Sequence, residues 1–168
     1  KEAGRLTWVG ADKQASWGHQ GLGFSPAKLT GIRSRLLGAT GLRRQGGCAT
    51  TAYQLAVGGG HDPYKNKRLE VIIGWLDLVE EHSSPLRRAA LTKAWKKKLP
   101  HITSPHRWKK VTGPMSTVMA TLVDIKWFPA APLEWIDPSG DEWKLNTSDP
   151  GINKELCQVI EDLSRIHL

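Results

Sequence analysis

The sequence predicts a mainly α-helical fold of about six helices followed by a C-terminal β-hairpin. Three observations support this fold class. At four places a Ser-Pro or Asp-Pro pair stands directly before apolar residues with helical spacing. A Gly-Pro pair precedes a fifth such stretch. Near residue 138, two short runs that each contain a tryptophan flank a sequence typical of a type I turn.

The Pro-containing pairs mark where helices begin. Ser or Asp before Pro can accept a hydrogen bond from the first free N–H groups, and Pro at the first helical position lacks only an N–H that has no partner. The pairs are Ser25-Pro26, Asp62-Pro63, Ser84-Pro85 and Asp149-Pro150. With Gly113-Pro114 they predict five helices.

Apolar residues three or four positions apart define the face that each helix buries. They are Leu29, Ile32, Leu36 and Leu37 after Pro26; Leu69, Ile72, Ile73, Leu76 and Val79 after Pro63; Leu86, Ala90, Leu91, Ala94 and Trp95 after Pro85; Met115, Val118, Met119, Leu122 and Val123 after Pro114; and Ile152, Leu156, Val159, Ile160, Leu163 and Ile166 after Pro150. A sixth, short helix is predicted from Cys48 to Val57, where three glycines end it.

The β-hairpin is predicted from residues 133–136 and 142–145, which flank the turn sequence Asp137-Pro138-Ser139-Gly140. Trp135 and Trp143 should then lie across the hairpin from each other. An isolated hairpin is marginally stable in water, so we expect it to pack on the helix at residues 114–126. This order of helix, short Pro-rich link and hairpin fits a winged-helix module, and it fits equally a helical domain with an appended hairpin.

Size and composition indicate a folded, soluble chain. Its 168 residues are 39% hydrophobic and 24% charged, which is typical of a globular protein. No apolar run approaches the roughly 18 residues of a spanning helix, so we expect a soluble intracellular protein, nuclear or cytoplasmic. We expect residues 1–146 to form a helical domain that ends in the hairpin, and residues 147–168 to form an acidic helix packed on it.

Charge is distributed unevenly along the chain. Residues 1–123 hold 20 basic and 7 acidic side chains, a net of +13, whereas residues 124–168 hold 4 and 9, a net of −5. This asymmetry predicts a surface that faces a polyanion. The alternative is a solvated basic face on an ordinary domain.

Two groups of basic residues are candidates for contacts with phosphate. One runs from Arg87 to Lys110 and is interleaved with Trp95 and Trp108, which we expect to be core residues rather than stacking platforms. The other is an arginine group at positions 33, 35, 43 and 44 beside Gly46-Gly47, which lacks the spacing and the lysine of a nucleotide-binding loop.

Signals for catalysis are weak. His101 and His106 flank Pro105 at a spacing that cannot direct both at one ion on a regular helix, and the two cysteines lie in no nucleophile or zinc motif. No metal or cofactor is therefore expected. One enzymatic alternative is a metal-dependent nuclease, because Glu142-Trp143-Lys144 has an acid-x-Lys pattern with Asp124 or Asp137 as a companion.

Several short sequence motifs together resemble the region downstream of the polymerase core in reverse-transcriptase polyproteins of non-LTR retroelements (retrotransposons) of dinoflagellate type. The resemblance covers about residues 5–146. Its motifs are Trp17-Gly18-His19-Gln20 with Leu22-Gly23 and Ser25-Pro26; Gly46-Gly47-Cys48-Ala49-Thr50-Thr51; Arg107-Trp108; Gly113-Pro114 with Met119-Ala120-Thr121-Leu122; and Trp135-x-Asp137-Pro138-x-Gly140-x-x-Trp143.

The resemblance implies a thumb or connection region that grips template and primer and has no catalytic centre of its own. Neither a polymerase Tyr-x-Asp-Asp motif nor the spaced carboxylates of a ribonuclease H occur in the sequence. The basic residues carried over as phosphate contacts are Arg33, Arg35, Arg43, Arg44, Lys96, Lys97, Lys98, Arg107, Lys109 and Lys110. A different class of function is a structural or adaptor subunit, which would bind other subunits through exposed tryptophans and the acidic C-terminal helix.

Overall fold

The computed structural model describes residues 18–39, 51–53, 55, 62–145, 154–156 and 158. Within them the chain is mainly helical, with a small three-stranded antiparallel sheet in its C-terminal part, which confirms the predicted fold class. The helices are α1 (His19–Leu22), α2 (Pro26–Ala39), α3 (Pro63–Glu81), α4 (Pro85–Ile102), a 3-10 helix (Arg107–Lys109) and α5 (Pro114–Asp124). Residues 51–53 and 55 are also helical, as are 154–156 and 158; the rest of the helices predicted at 48–57 and after Pro150 lies outside the described residues.

Four helices begin at the prolines that the sequence singles out. At α3, the Asp62 side chain accepts a hydrogen bond from the backbone N–H of Tyr64 at 2.9 Å, as an N-cap residue should. The Ser25 hydroxyl accepts a longer bond of 3.4 Å from the Lys28 N–H at α2. Ser84 makes no such bond at α4, so the preset backbone of Pro85 is what favours that start.

The sheet contains the predicted hairpin and one further strand. Strands β2 (Glu134–Ile136) and β3 (Glu142–Lys144) pair with Trp135 opposite Trp143, which confirms the predicted register. Strand β1 (Phe128–Ala131), where the sequence predicts only a Pro-rich link, pairs with β2. Pro129 is tolerated because β1 is at the edge of the sheet.

Four buried tryptophans connect the helices to the sheet. The rings of Trp75 and Trp95 lie 5.4 Å apart. Their indole N–H groups donate to the carbonyl oxygens of Pro132 and Pro129, at 3.0 and 2.9 Å. Trp127 and Trp135 complete the set, and Leu156, from the helical residues near the C-terminus, is buried in the same core. All four tryptophans therefore fill the core, and Trp75 and Trp95 also satisfy carbonyl groups of the sheet edge and turn.

Helix α4 buries less than its apolar residues suggest. Trp95 and Ile102 are buried, whereas Leu86 is 83% exposed. Nine positions separate Leu86 from Trp95, and at 100° per residue this places the two side chains on opposite sides of the helix. The predicted burial of Leu86 is wrong for this reason. Ala90 and Ala94 are also exposed, contrary to the prediction, so the outer side of α4 faces solvent. In the described part of the chain, no helix combines the length and apolarity needed to cross a bilayer.

Lys126 ends helix α5 in an unusual backbone conformation. Its φ of 68° lies in the left-handed region, and the N–H groups of Lys126 and Trp127 bond back to Val123 and Leu122 at 3.1 and 2.9 Å. This is the helix ending at which glycine is preferred because it has no Cβ. We expect Lys126→Gly to raise the free energy of unfolding by about 0.5–1 kcal/mol. Urea denaturation measures this, and an unchanged or lower midpoint would contradict it.

Candidate nucleic-acid interface

Lysines cover the solvent-facing side of α4. Lys93, Lys96 and Lys97 are exposed, and Lys96 and Lys97 follow Lys93 by three and four positions, so that each is its neighbour on the helix surface. Trp95 anchors the opposite side in the core. Helix α4 contains no Asp or Glu. Its lysines therefore have no neutralising partner on their own element.

Lys98 connects this helix to a second basic segment. Its ammonium group donates to the Thr112 hydroxyl at 3.2 Å. Helix α4 also packs against the 3-10 helix, at the C-terminal end of which Lys109 and Lys110 are exposed. Two groups that lie apart in the sequence thus meet in one region of the fold. We define the lysine surface as Lys93, Lys96, Lys97, Lys98, Lys109 and Lys110.

Arg107, although predicted as a phosphate contact, is directed inward. Its guanidinium forms an ion pair with Asp124 at 2.8 Å, and the Asp124 side chain is only 3% exposed. The second carboxylate oxygen of Asp124 accepts from the indole N–H of Trp108 at 2.9 Å. Arg107 therefore joins the 3-10 helix to the end of α5, and we leave it out of the lysine surface.

The environment of Asp124 changes the proton affinity of two groups. Burial raises the pKa of Asp124, and the Trp108 hydrogen bond with the charges of Arg68 and Arg107 offsets this only in part. Burial also lowers the pKa of Arg68, while Asp124 acts in the opposite direction. The carboxylate is thus the common partner of two cations and one indole.

The loop after α1 packs against the 3-10 helix at Trp108 and against α5 at Thr117. Gly23 has a φ of +62°, and a Cβ there would lie 2.7 Å from the Thr117 methyl group and 2.8 Å from the Trp108 ring. The Thr117 hydroxyl donates to the Gly21 carbonyl at 2.8 Å. This close approach requires glycine at position 23, and it holds Trp108 with its polar edge toward Asp124.

The predicted arginine group is divided by the fold. Arg33 is buried and forms an ion pair with Asp62, the N-cap of α3, and its guanidinium lies 4.5 Å from the centre of the Tyr64 ring. It therefore links α2 to α3 rather than facing a ligand. Arg35 is exposed on α2, which packs against α3. Arg43 and Arg44 lie outside the described residues.

The six tryptophans in the described ranges do not form an exposed surface. Four are buried in the core, Trp108 and Trp143 are half-buried, and Trp143 packs on Trp127 with ring centres 5.9 Å apart. This corrects the expectation that exposed tryptophans bind partner subunits, as far as these six are concerned. It confirms that Trp95 is a core residue.

The nuclease pattern does not assemble into a metal site within the described residues. Glu142 and Lys144 are exposed on β3. Asp137 accepts the backbone N–H groups of Ser139 and Asp141 at 2.8 and 3.0 Å and so stabilises the turn. Both carboxylate oxygens of Asp124 are bonded to Arg107 and Trp108. Among the described residues, no group of three His, Cys, Asp or Glu side chains could hold a metal ion.

Lys93 belongs to the basic run from Arg87 to Lys110 but is not among the ten residues carried over from the resemblance. It precedes Lys96 and Lys97 by three and four positions, and that spacing is the signal by which it could have been included.

Comparison with known proteins finds no match: no family model, no curated protein and no solved structure matches this chain.

Proposed function

We propose that this chain is a non-catalytic, sequence-tolerant nucleic-acid-binding module that contacts phosphates through the lysine surface. The proposal rests on the contact between α4 and residues 107–113, which are joined by the hydrogen bond from the Lys98 ammonium group to the Thr112 hydroxyl. The two segments, residues 85–102 and 107–113, contain no carboxylate. A surface of this kind attracts polyanions and releases their counterions on binding.

The chemistry of the surface supports sequence tolerance. Lysine presents a compact point charge, whereas base recognition uses planar forks such as arginine or amide side chains. Arg107 is engaged by Asp124. Phosphate contacts position a protein on nucleic acid without reporting its sequence.

In the wider setting, we propose that the module is part of a retroelement reverse-transcriptase polyprotein. The support is the resemblance of residues 5–146, whose motifs include Arg107-Trp108 and Gly113-Pro114. Both motifs lie beside the lysine surface, and Trp108 and Arg107 hold their segment against α5 through Asp124. In this proposal the polymerase and ribonuclease H chemistry belongs to other parts of the polyprotein.

The test is equilibrium binding of the purified chain to labelled RNA, DNA and RNA–DNA hybrid over about 50–200 mM salt. We expect the logarithm of the association constant to fall linearly with the logarithm of salt concentration, by about 0.9 for each lysine that contacts a phosphate. Exchanging the base sequence at constant length should change the affinity little. Absence of binding at the lowest salt would overturn the proposal and direct attention to an acidic protein partner.

A further inference from the structure

Thr112 combines exposure with an unusual concentration of positive charge. It is exposed, and its hydroxyl accepts a hydrogen bond from Lys98 at 3.2 Å. Lys109 and Lys110 occupy the third and second positions before it. Across the whole sequence, Thr112 is the only Ser or Thr with basic residues at both of these positions.

We infer that Thr112 is a phosphorylation site for a protein kinase that selects basic residues before the acceptor hydroxyl, and that the added phosphate is held by Lys98 and neutralises the lysine surface. Kinases discriminate among substrates by complementary charge, and a peptide groove lined with carboxylates selects this pattern. The effect on binding rests on the proposed function, whereas the modification itself does not.

The local backbone suits an acceptor site. Residues 110–113 lie between the 3-10 helix and α5 and belong to neither helix. Backbone bonds hold both ends of this segment, from the Lys110 N–H to the Arg107 carbonyl at 2.9 Å and from the Thr117 N–H to the Gly113 carbonyl at 3.0 Å. Between them, the Thr112 N–H donates to the Ser116 hydroxyl at 2.9 Å, and Val111 is half-buried against the core. Thr112 therefore presents its exposed hydroxyl from a connecting segment outside both helices.

The group transfer uses ATP as the phosphoryl donor. A bond forms between the γ-phosphorus and Thr112 Oγ1, and the bond from that phosphorus to the β-phosphate oxygen breaks. The bonding electrons leave with ADP, and the hydroxyl proton passes to the base of the kinase. The product carries about −1.5 to −2 charges beside Lys98, where it can form charge-assisted hydrogen bonds.

The consequence is competition for the same lysines. A phosphate at Thr112 offsets the charge of about two of them. It occupies Lys98 and lies close in sequence to Lys109 and Lys110. The nucleic acid then meets a less positive surface, so phosphorylation should weaken binding most at low salt.

The test treats the full chain with the catalytic subunit of cyclic-AMP-dependent protein kinase and MgATP, and locates the phosphate by tandem mass spectrometry. We expect Thr112 to be the principal site and a Lys109→Ala, Lys110→Ala variant to react about tenfold more slowly. Thr103 is the matched control, because it is exposed and has no Lys or Arg among the four residues before it. Phosphate at Thr103 rather than Thr112 would overturn the inference.

Two further measurements separate the inference from the proposed function. By ³¹P NMR, Lys98 should lower the second pKa of the phosphothreonine from its usual value of about 6, and Lys98→Met should remove this shift.

In the salt series, phosphorylation should reduce by about 2 the slope of the logarithm of the association constant against the logarithm of salt concentration. If the unmodified chain binds nucleic acid and the modified chain binds equally well, the regulatory inference fails alone. If the unmodified chain does not bind, the proposed function fails, and site mapping still decides the modification.

Discussion

Replacing Lys96, Lys97 and Lys98 by glutamine is expected to lower the affinity for a duplex of about 20 base pairs roughly 100-fold at 0.1 M salt. Each lysine that neutralises a phosphate contributes about 0.9 to the salt slope, so the slope should fall by about 2 to 3. Lys96 and Lys97 are exposed on α4, Lys98 is half-buried with its ammonium group bonded to the Thr112 hydroxyl, and none of the three belongs to the core. The fold should therefore be kept, which circular dichroism and the unfolding midpoint check.

A matched control separates a local surface from net charge. Lys28, Lys144 and Lys154 are exposed on α2, on β3 and among the helical residues near the C-terminus. Their replacement by glutamine also removes three positive charges, but from other parts of the molecule. We expect this variant to keep most of the affinity and most of the salt slope. Equal losses in the two variants would mean that binding depends on overall charge and not on the lysine surface.

Local sequence patterns were sufficient to predict α2 to α5, whereas the four-residue α1 and the 3-10 helix were not predicted. Pro63 and Pro114 begin α3 and α5 where the pattern indicates, and Trp135 pairs with Trp143. Strand β1 was missed because Pro129 argues against a strand, and the features that make it acceptable are tertiary. These features are an edge position and the indole N–H of Trp95, which lies 34 residues away and satisfies the Pro129 carbonyl.

The candidate site shows the same division. The exposed lysines of α4 follow from helical periodicity, because Trp95 and Ile102 fix which side is buried. Arg33 and Arg107 could not be separated from them in sequence. Their acidic partners, Asp62 and Asp124, lie 29 and 17 residues away and become visible only when the chain is folded. Sequence alone therefore does not distinguish basic residues that are paired inside the protein from those that face solvent, because the distinction depends on where the carboxylates lie in the fold.

The second large effect concerns Asp124. Asp124→Leu is expected to lower the free energy of unfolding by about 3 to 5 kcal/mol at neutral pH, because it leaves Arg107 without its counter-ion in a partly buried site. The Trp108 N–H also loses its acceptor. Asp124→Asn keeps an acceptor oxygen, so we expect a smaller loss of about 1 to 2 kcal/mol. Urea denaturation measures both variants, and equal losses would contradict the role given to the acceptor.

The pH dependence of the Asn variant tests the charge state of Asp124 itself. Its pKa in the folded chain is raised by burial, above the ordinary value of about 3.9 in the unfolded chain. The folded state therefore binds the proton more tightly, and stability from this group is full below the unfolded pKa and declines as pH rises through the folded one. Relative to wild type, Asp124→Asn should gain stability as the pH rises through this interval. A difference between the two proteins that moves the other way would show that Arg107 and Arg68 outweigh burial. Asp124 would then resemble an ordinary salt-bridged carboxylate, stabilising the segment that carries Lys109 and Lys110 chiefly through its charge.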